Sequence, residues 1–443
     1  MMYCKNGEKS RCFFLNFFLK SPRRRFGGRI FSADPFLFFT ALALFAGFLV
    51  LNFAFRGVGV IKRTRLVLSR QWEEQFGGDL VDSLIREFGE RNPELLILRE
   101  LSAKNGARAA AVPDILLFDE SEYEDLAGKG ALAPLNGYAH FENGIDRRAL
   151  PLISFMDLLF YNINLLKAAG FDRPPKNRAE FLAYAKAVSA APGGSTGLKG
   201  VYGTGLALSP EDPLSIRREI FSQIWASGSS LFQDGKPYFG GRAATETLDF
   251  LGRLKQDGVI APDAFDKTGA GLAADFAEGR IAMMIASSRE IPELRKRMGD
   301  SAFGITIIPG MAETPGQNRI SLLSWYAGIG ADCTGIDEAR TFLAFLAEKG
   351  SSLAARMEAV PGNLPRDNII PHAESFPGPY IRNDPFYSKA WEIYEAAKPV
   401  EEFSGMPEAA EYEQIVREEL ARFFADRQKA ADTAAAIQKR WAS

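Results

Sequence analysis

Apolar residues after about residue 60 recur at strand and helix spacings in turn. "RLVLSRQW" begins as a short strand-like run, and Asp79–Arg91 then places Leu80, Leu84 and Phe88 on one helical stripe that ends before Pro93. "ELLILRE" and "VPDILLFD" are the next strand-like runs, and a helical stretch follows that ends at "KGALAPL". This succession predicts an α/β sheet with helices on its faces, in which ligands collect at the carboxyl ends of strands.

The segment Leu158–Val188, "LLFYNINLLKAAGFDRPPKNRAEFLAYAKAV", joins a strand to two helices. "LLFYN" is the strand, "INLLKAAG" is a short helix closed by Gly170, and "FDRPPKN" is a rigid connector. Asn177 then predicts a helix start, with Glu180 in the capping-box position three residues on. The pattern is typical of a strand leaving one lobe before helices begin in another, and the predicted buried stripe is Phe181, Leu182, Ala185 and Val188.

The run Pro35–Phe55, "PFLFFTALALFAGFLVLNFAF", carries no charge and is long enough to cross a hydrocarbon core of about 30 Å. It is longer than the apolar part of a cleaved signal peptide. We therefore predict one uncleaved transmembrane signal anchor, preceded by a basic cytoplasmic tail over residues 1–34. The rest of the chain is expected in the periplasm or outside the cell of a bacterium, tethered to the cytoplasmic membrane.

The composition of the chain argues against several classes of function. The formal net charge is −2 and no basic stripe follows the apolar run, so nucleic acid is not expected as a partner. Two of the three cysteines precede that run, which predicts no internal disulfide framework. The two histidines lie in no metal-binding motif, so neither a metal site nor a cofactor is expected.

An enzyme is a less favoured hypothesis. "GGSTG", Gly193–Gly197, matches the nucleophile-elbow pattern in letters, but it follows the end of a helix where that motif needs a strand. Glu73 and Asp119 could in principle form the carboxyl pair of a glycosidase. We predict no catalytic residue.

Several motifs in order resemble one family. "FYNINLLKAAGFDRPPKNRAEFLAYAKAV", "FGERNPELLILRE" and "PDILLFDESEYEDLAGKGALAPL" are similar to conserved passages of the extracellular solute-binding proteins that serve ABC importers, the family of maltose-binding protein. "FSQIWASGSSLFQDGKPYF", "DFAEGRIAMMIASSREI", "FGITIIPG", "AARMEAVPGNLPRDN" and "FFADRQKAADTAAAIQKRW" continue the likeness. It extends from Arg65 to Trp441.

The resemblance implies the type II periplasmic-binding-protein fold: two α/β lobes with a hinge and a ligand cleft, here after one transmembrane helix. Residues 60–150 and 322–375 would form lobe 1, and residues 151–321 and 376–443 would form lobe 2 with the C-terminal helices. Hinge crossings are expected near Leu150–Met156 and Arg319–Trp325. The implied function is binding of a carbohydrate, polyol or sugar phosphate and its delivery to the transmembrane permease subunits of an ABC importer.

The resemblance also implies which residues hold the ligand. Family members hold sugars between aromatic rings and polar side chains. Arg289 occupies a position where the family often has a stacking tryptophan, and an arginine there could stack, grip hydroxyls or take an acidic group. The predicted ligand-binding residues are Trp72, Glu73, Phe118, Asp119, Trp225, Arg289, Trp325, Tyr326 and Asn363.

A second hypothesis keeps the fold without transport. The membrane anchor and the basic tail with its two cysteines are compatible with a ligand-sensing or scaffold protein. A neighbouring sensor-kinase gene would favour that role, and neighbouring permease genes would favour import.

Overall fold

The computed structural model describes residues 64–100, 112–135, 148–190, 200–310, 318–356, 360–361, 383–400 and 402–442. The predicted anchor Pro35–Phe55, the motif Gly193–Gly197 and Asn363 lie outside these residues. Within them, no helix is long and apolar enough to cross a membrane.

Strands and helices alternate along the described chain. The strands are β1 Thr64–Leu68, β2 Leu95–Arg99, β3 Ile115–Asp119, β4 Ala149–Asn162, β5 Tyr202–Thr204, β6 Phe232–Gln233, β7 Lys236–Pro237, β8 Ile281–Ser287, β9 Phe303–Thr306, β10 Arg319–Ile329, β11 Val360–Pro361 and β12 Lys398–Val400. The α-helices are α1 Gln71–Phe76, α2 Gly78–Arg91, α3 Glu120–Gly128, α4 Ile163–Ala168, α5 Arg178–Ala190, α6 Ser222–Ala226, α7 Arg242–Gln256, α8 Gly269–Ala277, α9 Ile291–Met298, α10 Ile336–Arg356, α11 Pro385–Ala396, α12 Ala409–Phe424 and α13 Ala430–Trp441. A π-helical turn spans Arg217–Phe221, and a 3₁₀ turn spans Ser288–Glu290.

The main sheet is mixed and has the order β2-β1-β3-β10-β4-β8-β5, with β9 and β11 also paired to β4 and β12 paired to β10. Strand β1 is parallel to β2 and β3, whereas β10 is antiparallel to both β3 and β4. Strands β6 and β7 form a separate two-stranded sheet. The α/β class predicted from the sequence is therefore confirmed.

Strands β4 and β10 are the long members of the sheet and connect its two parts. They contain 14 and 11 residues, and they pair from Leu322–Met156 to Gly328–Ala149. The register shifts between Trp325 and Tyr326, opposite Pro151, whose ring removes the N–H that a regular ladder would use. The two segments predicted as hinge crossings are thus neighbours in the sheet.

Buried apolar side chains form separate cores on either side of these strands. The first core contains β1, β2 and β3 with α1, α2 and α10, and it includes β4 as far as Phe155. The second core lies on both faces of the sheet formed by the rest of β4, β8, β5 and β9, and it receives α5, α7, α12 and α13 on one face and α8, α9 and α11 on the other. A small cluster beside β3 contains Phe118, Tyr123 and Tyr326.

The local predictions in the Leu158–Val188 segment can be compared closely with the structure. Helix α4 ends before Gly170, which has φ 91. Asn177 Oδ1 accepts the backbone N–H of Glu180 at 2.9 Å, as predicted for the start of α5. The reciprocal half of the predicted capping box is wrong, because the Glu180 carboxylate accepts instead from the backbone N–H of Lys176 and from Arg173. Leu182 is half-buried, and Tyr184 completes the buried stripe in its place.

Candidate ligand-binding cleft between the two cores

Arg217 connects elements of the two cores. It begins the π-helical turn, a rare local structure that often lies at functional sites. Its guanidinium donates to Glu120 Oε1 at 3.2 Å and to Glu413 Oε1 at 2.8 Å, and it forms a further ion pair with Glu124. Glu120 and Glu124 lie on α3, one turn apart, and Glu413 lies on α12. Only 3% of the Arg217 side chain is exposed, so this cluster is closed to solvent.

Burial dominates the acid–base properties of the cluster. It raises the pKa of Glu120 and Glu413 and raises the pKa of Glu124 to about 8, although the Arg217 charge opposes each shift. Three carboxyl groups around one guanidinium cannot all be ionised without leaving buried negative charge uncompensated. The cluster therefore retains protons at neutral pH.

Glu402 organises a second group of contacts beside the first. Its carboxylate accepts from Trp225 Nε1 at 2.7 Å, from the Ser230 hydroxyl at 2.7 Å and from Arg319 at 2.8 Å. The next residue, Phe403, is fully buried with φ 68, a conformation that is costly for a bulky side chain. The residues on both sides of Phe403 are held by side-chain hydrogen bonds, those of Glu402 and the contact of the Ser404 hydroxyl with Tyr326.

A small polar space, the central cavity, lies between these two groups. Its volume is about 10 Å³, close to the minimum for one water molecule. The Tyr326 hydroxyl bridges one wall, donating to Glu120 Oε2 at 2.6 Å and lying 2.8 Å from the Ser404 hydroxyl. The lining residues are Glu120, Arg217, Trp225, Ser321, Leu322, Ser324, Tyr326, Val400, Glu402 and Ser404.

Asp157 lies on β4 next to this cavity. Met156 pairs with Leu322 of β10, and the neighbouring residues Asp157 and Ser321 are close enough to interact. Ser321 lines the cavity. Asp157 is 1% exposed, and among the described residues neither of its carboxylate oxygens has a partner in hydrogen-bond geometry. Burial raises its pKa to about 6, while the Arg218 charge and the nearby Ser321 hydroxyl oppose the shift.

Arg218, whose charge acts on Asp157, also contacts two other acidic side chains. It donates to Asp212 Oδ2 at 2.6 Å, and its Nε lies 3.6 Å from Glu219 Oε1. Burial raises the pKa of Glu219 to about 8. The described residues contain no group of three or more His, Cys, Asp or Glu side chains that could hold a metal ion.

Of the predicted ligand residues, Trp72 and Glu73 lie away from the central cavity. The Trp72 ring is 1% exposed and packs against Phe76 and Phe342 in the first core. Glu73 is exposed at the surface and forms an ion pair with Arg99 at 3.1 Å.

The predicted residues on β3 and β10 lie together. Phe118 stacks on Tyr326 with ring centroids 6.1 Å apart. Asp119 is paired with Trp325 across the sheet, and its Oδ1 accepts the backbone N–H of Ser121 and of Glu122 as the cap of α3. Asp119 thereby fixes the helix that carries two of the acids around Arg217.

Trp225, Tyr326 and Arg289 lie on the region between the cores. Trp225 and Tyr326 line the central cavity. Arg289 is exposed, and its guanidinium lies 5.9 Å from the centre of the Trp325 ring, within cation–π range. This contact joins the 3₁₀ turn after β8 to strand β10.

The sequence reasoning did not select Arg217, Glu120, Glu402 or Asp157, although two signals were present. Asp157 is the single charged residue in the apolar strand "ALPLISFMDLLFYN", and "RRE" at 217–219 interrupts the apolar stretch "PLSIRREIFSQIW". A charge inside an apolar run indicates either a paired buried group or a site. Both interpretations apply here.

The chain belongs to the bacterial extracellular solute-binding proteins, whose family model matches residues 99–368. This confirms the resemblance drawn from the sequence motifs. The family consists of binding proteins, so the prediction that the chain is not an enzyme is also confirmed. A curated relative, a protein of Brucella abortus named as a binding protein, is 22% identical over 202 residues; the match covers 42% of this chain and less than half, 46%, of that protein.

Solved structures with the same fold include several named as sugar-binding proteins. The cyclic α-maltosyl-1,6-maltose binding protein of Arthrobacter globiformis superposes with a TM-score of 0.66 at 15% identity, covering 85% of this chain and 97% of that one. The sugar-binding protein MalE of Xanthomonas citri gives 0.63 at 16% identity, with 85% and 96% covered. UgpB of Mycobacterium tuberculosis, solved in complex with glycerophosphocholine, gives 0.60 at 17% identity, with 86% and 98% covered. The chain thus has the fold of the periplasmic sugar-binding proteins.

Proposed function

We propose that this protein is the membrane-tethered substrate-binding component of an ABC importer, and that it binds a carbohydrate or a related polyol or sugar phosphate between its two cores. The observation that carries the proposal is the polar layer around the central cavity, enclosed by elements of both cores and crossed by β4 and β10. The solved neighbours named for maltose-type sugars and for glycerophosphocholine support this range of ligands.

The proposed lobes are residues 60–150 with 322–375 and residues 151–321 with 376–443, and β4 and β10 act as the hinge. A cavity of about 10 Å³ is far smaller than a sugar, so the lobes separate to admit the ligand. Separation breaks the bonds from Arg217 to Glu120 and Glu124. A ligand shifts the equilibrium toward the closed state only to the extent that it binds the closed state more tightly than the open one. The permease recognises the closed state.

The tether is the proposed anchor Pro35–Phe55, with residues 1–34 in the cytoplasm and the binding part facing the periplasm or the cell exterior. A ligand-sensing or scaffold protein is the second candidate. The observation that favours it is the Arg217 cluster, in which ion pairs between the chain's own side chains hold α3 against the π-helical turn.

A thermal-shift screen of the purified full-length protein against mono-, di- and oligosaccharides, polyols and sugar phosphates tests the proposal. Ligand at about 100 times its Kd stabilises the folded state by about 2.7 kcal/mol. We expect the shift to diminish in Arg289→Ala and to persist in Arg242→Ala, a substitution of an arginine whose side chain is 88% exposed. No shift with any compound would reject carbohydrate import and favour the sensing or scaffold role.

A further inference from the structure

Carboxyl groups outnumber guanidinium groups around the central cavity. Five carboxyl groups line it or contact its lining, against two guanidinium groups: Glu120, Glu124, Glu413, Glu402 and Asp157 against Arg217 and Arg319. The next charged residues outward are three acids and three arginines, and they leave the excess of carboxyl over guanidinium groups unchanged at three: Asp212, Glu219 and Glu290 against Arg218, Arg417 and Arg289. Protons held by the acids around Arg217 offset part of this excess, and an external cation can offset negative charge that remains on the other carboxylates, Asp157 among them.

Unpartnered polar atoms at one place on the cavity wall point independently to a ligand. Among the described residues, both carboxylate oxygens of Asp157 and the hydroxyl of Ser321 lack a partner in hydrogen-bond geometry. The Ser321 hydroxyl is close enough to Asp157 to lower the pKa of its carboxyl group, but its single hydrogen can serve only one of the two carboxylate oxygens. Asp157 is 1% exposed and Ser321 is 2% exposed, so bulk water does not supply the missing bonds. Ser321 lines the central cavity directly, and Asp157 lies close to it on the neighbouring strand.

Most of the atoms that lack a hydrogen bond are acceptors. A ligand group that binds them must therefore be a hydrogen-bond donor. An ammonium group has three donors, no acceptor and a positive charge, so it can supply the missing hydrogen bonds and also pair with the negative charge of the Asp157 carboxylate. A phosphate or carboxylate would add negative charge beside Arg217, whose guanidinium already contacts three carboxylates. A neutral hydroxyl would supply a donor and leave the charge unchanged.

We propose that the solute carries a protonated amine, and that this ammonium group binds Asp157 and Ser321 at the wall of the central cavity. The substrate class is then an amino sugar or another small amine-bearing polyol, in preference to a neutral sugar or a sugar phosphate. The inference rests on the proposed function, because it assumes that the ligand enters between the two cores.

Matched sugars that differ in one group test the charge. Binding of D-glucosamine, N-acetyl-D-glucosamine and D-glucose to the full-length protein is measured by titration calorimetry at neutral pH, together with the β-1,4-linked disaccharides of the same three units. We expect each amine-bearing sugar to bind at least about tenfold more tightly than its two neutral counterparts, since a charged hydrogen bond is worth this much.

Variants test the location. Asp157→Asn keeps the shape and removes the charge, and we expect it to reduce the preference for the amine to within about threefold. Ser321→Ala removes only a hydroxyl from the same part of the cavity wall. If the asparagine variant does not fold, the effect of Ser321→Ala on the preference for the amine-bearing sugar tests the location instead. Glu90→Gln removes an exposed carboxylate on α2 and should keep the full preference.

The possible failures are distinguishable. Equal or tighter binding of the neutral sugars overturns the amine proposal while leaving carbohydrate binding intact. A preference for the amine that survives both Asp157→Asn and Ser321→Ala overturns the assigned location. Absence of binding by every sugar, charged or neutral, rejects the amine proposal and the proposed function together.

Discussion

Arg217 is an example of a buried charge whose partners come from distant parts of the chain. Its ion pairs reach Glu124, Glu120 and Glu413, which are 93, 97 and 196 residues away in sequence. Burying such a cluster yields little net stability, because desolvation consumes most of the Coulomb attraction. Removing one partner is costly, because the remaining charges lose their compensation in a region that water does not reach.

Replacement of Arg217 by methionine tests this asymmetry. Methionine keeps much of the apolar volume and removes the charge, so we expect the free energy of unfolding to fall by about 3–5 kcal/mol at pH 7.5. The loss should be similar at pH 5.5, because the pKa of Glu124 is raised to about 8 and its carboxyl group is already largely neutral at pH 7.5. Urea unfolding followed by tryptophan fluorescence at the two pH values measures both effects.

The matched control is Arg242→Met. Arg242 forms an exposed i,i+4 ion pair with Glu246, and such a pair contributes at most about 0.5 kcal/mol. Equal losses for the two variants would contradict the argument that burial determines the cost at Arg217.

Sequence alone could have indicated that Arg217 and Asp157 are unusual, but not what they contact. Each charge interrupts an apolar run, which is a local signal. The partners are set by how β4, the π-helical turn, α3 and α12 meet in space, and no periodicity within one element encodes that arrangement. For the same reason, strand-end position favoured Trp72 as a ligand residue, although its ring packs in the first core.

At the scale of single elements, helix α3 links a cap to the charge cluster. Asp119 caps its first turn by accepting from the backbone N–H of Ser121 and of Glu122, and the Glu122 carboxylate accepts from the backbone N–H of Asp119. The same helix carries Glu120 and Glu124 toward Arg217. The position of the cluster therefore depends on where the helix begins.

Asp119 substitutions separate its role as a cap from its predicted role as a ligand residue. Asp119→Ala removes the cap and should lower the free energy of unfolding by about 1 kcal/mol, whereas Asp119→Asn retains a capping oxygen and should change it by only a few tenths. Thermal and urea unfolding measure these differences. If the alanine variant is as stable as the wild type, the cap is not stabilising α3.

Ligand affinity in the asparagine variant then tests the second role. Asparagine keeps the geometry of the cap and removes the charge, so a ligand that contacts the carboxylate should bind more weakly to Asp119→Asn. Unchanged affinity would assign Asp119 to the helix alone.

The elements themselves were largely predictable from the sequence. Apolar stripes located α2 and most of α5, and Gly170 marked the end of α4. The length of β4 was not predictable in this way: "ALPLISFMDLLFYN" is apolar throughout apart from Asp157, so its pattern does not show where one core ends and the next begins. That boundary depends on pairing with β10, which lies more than 150 residues further along the chain.

At the scale of the whole molecule, buried acids with raised pKa values make stability depend on pH in a defined direction. Glu219 is fully buried, and burial raises its pKa from 4.5 to about 8. Below about pH 4.5 the group is protonated in both the folded and the unfolded state, so its contribution to stability is fully present there. Between the two pKa values the unfolded chain releases the proton and the folded chain keeps it, so stability falls as the pH rises.

Glu219→Gln should remove this part of the pH dependence. The charged groups that face Glu219 are Arg218, Asp157 and Asp212, and they remain in the variant. We expect the free energy of unfolding of Glu219→Gln, relative to the wild type, to increase by about 1.4 kcal/mol per pH unit between about pH 5 and pH 8. Glu180→Gln is the opposite control, because a bond from Arg173 lowers the pKa of Glu180 to about 2 and the group is ionised in both states over this range. Its difference from the wild type should stay constant with pH, and a constant difference for Glu219→Gln as well would show that the Glu219 carboxyl is ionised in the folded protein.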